Sequence, residues 1–458
     1  MVAVSFILIL ALVSSTVVAQ PKTNGFTSPF ACLKPLETSE ISTKSVYEWI
    51  PLSKRTLKST SDEDSVEIGL SYLLQQLNLQ SNEFRVKTSF TDNLGITHLY
   101  GIPLHKGLKI GNLHAAAHIK YSQVFFYSAT TIVDDHALTK RSPTIPESTI
   151  KILSEDAVKA AVDCLGVPFY HDIAPVMESY WTSDGNILVW VFQLRDDPIT
   201  QWFEVKSIQK TFNHLRMGGL RVLKTIGNNA EAKYKKRKTF GTSIRGMFDM
   251  DFDPIPPPQI SKNLIAGAVN AFYVHELTHG LSDRLTGGAQ TKMCMSKIES
   301  GGLSEGYSDM IVLIFTAKPK DTRNTRRVMG EYVEGDQRGS RRYPYTTDIR
   351  VNPLKYRDAV GEKQRHALGE IWATMLWEVY WNLVEKYGFS ANLHDATQKE
   401  GNIIFLQILV GTLMIQPCNP TFESAHDAML AADDAYYGGV HKHLITKGFA
   451  KRGLGSIS

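Results

Sequence analysis

His275-Glu276-Leu277-Thr278-His279 sets two imidazoles four positions apart, with a carboxylate beside the first. On a helix, residues i and i+4 share a face, so both rings can reach one metal at about 2.0–2.1 Å. Glu276, one residue past the first histidine, is placed to act on a water held by the metal rather than on the metal. The implied chemistry is zinc-assisted hydrolysis of an amide bond. A catalytic zinc takes three protein ligands and keeps a further position for water or substrate. One class of site supplies its third ligand from the pattern His-Glu-x-x-His-x-x-Gly-x-x-His, but those positions here are Ser282 and Leu285, which excludes that class. Downstream, Gly301-Gly302-Leu303-Ser304-Glu305-Gly306-Tyr307-Ser308-Asp309 leads into an apolar run from Met310 to Phe315, predicting a second helix that opens with acidic residues. Glu305 is the candidate third ligand. Asp309, one turn on, is placed to accept the free ring N–H of a ligating histidine and so fix its tautomer.

The motif needs a helix beneath it. Leu264, Ile265, Ala268, Val269 and Phe272 form an apolar stripe of helical period that runs into His275, and Gly287-Gly288 is the expected stop. Segments 365–388, 402–415 and 421–436 repeat the helical period, as in Leu368, Ile371, Trp372, Met375, Leu376, Val379 and Leu383, and are expected to form a helical core. Residues 20 to about 208 alternate differently, at Thr97–Ile102, Ala115–Tyr127 and Ile187–Leu194, with a helix expected over Glu155–Leu165. The fold class is therefore α+β. His114-Ala115-Ala116-Ala117-His118 repeats the four-residue histidine spacing inside this sheet-like region and has no glutamate after His114. On a strand the two side chains would stand about 13 Å apart, too far for one metal, so no chemistry is assigned to them.

Residues 1–19 are apolar, broken by Ser14-Ser15-Thr16, and end Val-Val-Ala before Gln20, the pattern of a secretory signal peptide. Their apolar core is short of the roughly 20 residues a membrane span needs; no membrane association is expected. A formal charge of +4 is mild. The basic run Lys233–Lys238 lacks aromatic interleaving and reads as a solvated loop, so no nucleic-acid partner is expected. Lys140-Arg141 is a candidate processing site. In an exported chain Cys32, Cys164, Cys294 and Cys418 can form two bridges in any of three pairings.

The two motif segments, FYVHELTHGLSDRLTGG (272–288) and ESGGLSEGYSD (299–309), resemble those of the fungalysins, secreted fungal zinc metalloproteases related to thermolysin. RYPY at 342–345, Asn352-Pro353, the stretch His366–Ala373, QPCNPTF at 416–422 and GFAKRGLG at 448–455 extend the resemblance over roughly residues 226–455. It implies a thermolysin-like (gluzincin) catalytic domain over 209–458, with a mainly α-helical C-terminal lobe, after a β-rich propeptide over 20–208. The zinc ligands implied are His275, His279 and Glu305, with Glu276 as general base and one Zn2+ per subunit. His366 is implied as a donor to the oxyanion, against the alternative of a helix-cap histidine; Arg365 before it departs from the family pattern. Thermolysin's tyrosine between its second histidine and its glutamate has no counterpart in 280–304, leaving Tyr343, Tyr345 and Tyr307 as candidate phenols.

The resemblance further implies a secreted, extracellular endopeptidase acting on proteins and peptides. Its own propeptide would assist folding and block the cleft until cleaved. Fungalysins carry a long upper-lobe segment before the zinc motif, and only its last part has a counterpart here, from Gly227-Asn228-Asn229-Ala230, a candidate edge for an extended peptide, through a strand and turn at 245–258. The upper lobe is thus shortened. A non-catalytic secreted zinc-binding protein is the alternative reading.

Overall fold

The structure is a computed structural model and describes residues 43–52, 62–111, 113–132, 152–182, 185–195, 202–208, 262–288, 294–331 and 337–455. The expected signal peptide, Lys140-Arg141, and the segments at 228–230, 233–238 and 245–258 lie outside these residues. The described chain is a mixed α+β protein that divides into two compact units.

The larger unit joins residues 43–107 and 113–132 to the C-terminal helices. Its strands β1 (Thr43–Trp49), β2 (Phe84–Thr91), β3 (Thr97–His105), β4 (Ala115–Lys120) and β5 (Gln123–Ile132) are antiparallel neighbours in the order β1-β5-β4-β3-β2. The segment Ala115–Tyr127 spans a hairpin rather than one strand, because Tyr121 and Ser122 turn the chain at positive φ, 53° and 61°. Alternation along β4 gives the sheet two different faces. Ala115, Ala117 and Ile119 pack with Leu73 of helix α1 (Asp62–Leu77). The intervening side chains face the C-terminal helices, where Lys120 reaches the Ala435 carbonyl. On the same side Tyr100 donates to the Met414 carbonyl at 2.8 Å, and Ile96, Phe125 and Phe126 enter the helical core.

The smaller unit contains helix α2 (Ser154–Leu165) and a sheet in the order β6 (Val176–Thr182), β7 (Gly185–Arg195), β8 (Trp202–Ile208). Ala157, Ala161, Val167, Phe192 and Leu194 form its core.

Besides α1, the described helices of the larger unit are α3 (Lys262–Leu285), α4 (Ile298–Thr316), α5 (Arg365–Tyr387), α6 (Gly401–Ile415), α7 (Phe422–Tyr437) and α8 (Lys442–Lys451). Helix α5 is buried at every residue from 367 to 384, and its one polar stripe, Glu370, Thr374, Glu378 and Asn382, is satisfied from within by Arg342, Asn352, Arg452 and the Leu444 carbonyl. Helix α4 starts at Ile298, so Glu305 and Asp309 lie inside it rather than at its opening, and Glu299 is its first-turn acid. The glycines are helical because α5 lies too close for side chains. A Cβ on Gly306 would stand 2.8 Å from the Gly369 carbonyl oxygen, and one on Gly369 would stand 2.5 Å from Glu305 Cβ. This close approach brings the start of α5, with His366, against Glu305. A disulfide between Cys294 and Cys418 ties the entry of α4 to the entry of α7. No helix among the described residues is long and apolar enough to cross a membrane.

Candidate metal centre

Helix α3 presents His275 and His279 on one face, with ring centroids 4.9 Å apart. Glu305 of α4 meets both: its Oε2 lies 3.2 Å from His275 Nε2 and 3.7 Å from His279 Nε2. A tetrahedral ion with bonds of about 2.0–2.1 Å has ligand atoms about 3.3 Å apart. The three donor atoms fall within 4.8 Å of one another, so the set fits a single zinc without rearrangement of the helices. His366, at the start of α5, points its Nε2 to 3.4 Å from the same Glu305 oxygen, with its side chain 56% exposed. A second grouping of the same compactness, His114 with Cys294 and Cys418, offers no thiolate because its sulfurs are joined to each other.

Behind the histidines stand two different supports. His275 Nδ1 is 2.9 Å from Asp309 Oδ1. That carboxylate is fully buried and is gripped by Arg341, whose Nε donates at 2.6 Å and Nη2 at 2.8 Å, and by the Tyr345 hydroxyl. His279 Nδ1 instead lies 2.9 Å from the Ser304 hydroxyl. Of the three candidate phenols, Tyr345 is thus committed to Asp309, Tyr307 is buried and donates to Gln416 at 2.9 Å, and Tyr343 is 36% exposed.

Electrostatics follow from this packing. Burial alone would lower His275, but its bonds to Asp309 and Glu305 outweigh that and raise it to about 9. Glu305 is opposed by burial, yet its contacts with His275, His279 and His366 bring it down to about 2, and Asp309 is held far below the usual carboxylate range by Arg341 and His275. Burial and the neighbouring His275 lower His279 to about 4. Glu276, half-buried, is raised chiefly by burial. A raised carboxyl is a better proton acceptor than a solvated one.

Sequence reasoning named His275, Glu276, His279, Glu305, Asp309 and His366, and five of these six lie in one linked cluster of ring nitrogens and carboxylates. Glu276 sits beside His275 on α3. Reasoning from sequence missed Arg341 and the serines Ser304 and Ser282. Arg341 adjoins the RYPY stretch, but nothing in its own spacing points to a carboxylate 32 residues earlier.

Residues 270–458 match the family described as "Fungalysin metallopeptidase (M36)". Over 187 residues the chain is 45% identical to an "Extracellular metalloproteinase" of Pyrenophora tritici-repentis, covering 40% of this chain and 29% of the relative. It is 43% identical over 186 residues to "Extracellular metalloproteinase mep" of Aspergillus niger, covering 40% and 30%. With "Extracellular metalloproteinase MEP" of Leptosphaeria maculans it shares 43% identity over 207 residues, covering 43% and 32%. The chain therefore spans about a third or less of the length of the curated relatives it matches. Through the segment that carries both motif helices, residues 270–458, the chain is similar to the fungalysin metallopeptidases.

Proposed function

We propose that the chain is a secreted, extracellular zinc-dependent endopeptidase, made as a zymogen, that hydrolyses peptide bonds of proteins. The observation that carries this reading is the convergence of His275, His279 and Glu305 within one coordination distance, with Glu276 next to the first ligand. His275 Nε2, His279 Nε2 and Glu305 Oε2 would hold the ion. A zinc bound there would supply Lewis-acid chemistry for attack by water near neutral pH. Glu276 accepts the proton of the attacking water and delivers it to the departing amine. His366, exposed at the rim, donates to the oxyanion. Arg341 and Tyr345 act through Asp309, holding His275 with its hydrogen on Nδ1.

Residues 20–208 are proposed to be the propeptide, acting as folding aid and intramolecular inhibitor. The sharing of one core by Ile96, Phe125, Phe126 and the helices supports the folding role. The shortened segment before the zinc motif favours the alternative of a zinc protein without cleavage, and one experiment separates the two. Glu276→Gln, assayed on denatured casein, is expected to lose about 10²- to 10⁴-fold in rate while retaining zinc. Wild-type protein that holds zinc yet cleaves nothing after prosegment removal would favour the non-catalytic reading.

A further inference from the structure

We propose that Ser304 and Ser282 form a positioning ring that fixes the tautomer of His279 and presents its Nε2 to the metal. The inference rests on the reading of His279 as a zinc ligand. Three contacts make the ring: His279 Nδ1 to Ser304 Oγ at 2.9 Å, Ser304 Oγ to Ser282 Oγ at 2.9 Å, and Ser282 Oγ to the His279 carbonyl oxygen at 3.1 Å. Both serines are buried, at 5% and 0% exposure, so the polar atoms must be satisfied from within.

Each hydroxyl has one hydrogen to give, and this decides the direction of the ring. With the imidazole hydrogen on Nδ1, His279 donates to Ser304, Ser304 donates to Ser282, and Ser282 donates to the His279 carbonyl. All three contacts are then hydrogen bonds and Nε2 keeps its lone pair for the ion. With the hydrogen on Nε2, Ser304 must donate to Nδ1. Ser282 then has one hydrogen for two oxygens, and one contact is left as two lone pairs facing each other. The ring therefore favours the metal-binding tautomer by one buried hydrogen bond. It also couples two helices: Ser282 follows His279 by three residues on α3, and Ser304 directly precedes the ligand Glu305 on α4. Its acceptor is neutral, unlike the carboxylate behind His275, so His279 is oriented without being made as strong a donor.

The test uses the full chain with Ser304→Ala, Ser282→Ala, the double variant and Ser304→Thr, which keeps the hydroxyl. Zinc affinity is measured by chelator competition, the visible spectrum after Co2+ substitution is recorded, and thermal midpoints are taken in chelator. Ser304→Ala is expected to weaken zinc about tenfold and to shift the Co2+ bands. Ser282→Ala leaves the Ser304 contact in place and is expected to cost about threefold. The double variant should lose no more than Ser304→Ala alone, because both act through one ring, and Ser304→Thr should restore the wild-type spectrum. If Ser304→Ala does not fold, Ser282→Ala still reads the ring. Wild-type zinc affinity and Co2+ bands in every alanine variant that folds, whatever their thermal midpoints, would overturn the proposal. Wild-type protein that binds no zinc would remove the metal reading, and the ring with it.

Discussion

Two histidine pairs with identical spacing sit in this molecule in different surroundings. His275 and His279 lie on a helix, where four residues make one turn, and both reach the Glu305 carboxylate. His114 lies just before strand β4 and His118 within it, and each meets something different. His114 Nε2 donates to the Gly287 carbonyl at 2.8 Å, and His118 Nδ1 stands 2.9 Å from His98 Nδ1. Their rings flank Tyr100, and His118 also borders Phe125 and Phe126. Carboxylates raise His275 to about 9, whereas burial lowers His114 to about 4, His118 well below its ordinary value and, within the helical pair, His279 to about 4. Spacing alone therefore carries no chemistry. The backbone period and the partner behind each ring decide whether a pair converges on one carboxylate or packs into a core.

The contrast between His275 and His114 predicts opposite pH dependences. A histidine lowered by folding binds a proton more readily when unfolded, so its stabilisation is complete above about pH 6.5 and is lost as pH falls toward 4. For His114 the loss is on the order of 3 kcal/mol over that window. His275 has the reverse sign: in chelator its contribution is complete below about pH 6.5 and is lost as pH rises through about 9. Urea unfolding between pH 4 and 7 should show His114→Gln, whose amide can still donate to Gly287, with a shallower acid loss than wild type. Parallel profiles would mean that the strand pair is not the source. A smaller effect is expected when the helical pair loses its carboxylate: Asp309→Asn should weaken zinc about 10- to 100-fold. A change below about threefold would show that the charge behind His275 does not distinguish the pairs.

Much of the site was legible because its signals are local. The helix under His275 and His279 shows as apolar period, and Asp309 follows Glu305 by one turn on the same face. His366 came from resemblance alone, and its place beside Glu305 depends on the Gly306–Gly369 contact between α4 and α5, which no spacing reveals. The start of α4 was less legible, since Glu305 and Asp309 look like first-turn acids until Gly301 and Gly302 are seen helical against Arg365 and Leu368 of α5. Ala115–Tyr127 read as one segment because the turn at Tyr121-Ser122 uses residues that carry no turn signal. The Cys294–Cys418 bridge joins positions 124 residues apart, and Arg341 reaches Asp309 from another loop. Contacts of that kind are set by tertiary packing.

The central claim, that the helical pair and not the strand pair holds the ion, is tested most directly by zinc content per chain after exhaustive dialysis. Wild type and His114→Gln are expected to retain one zinc per chain, and His275→Ala with His279→Ala to retain none. Zinc kept by the helical double variant, or lost from His114→Gln while that protein remains folded, would contradict the account.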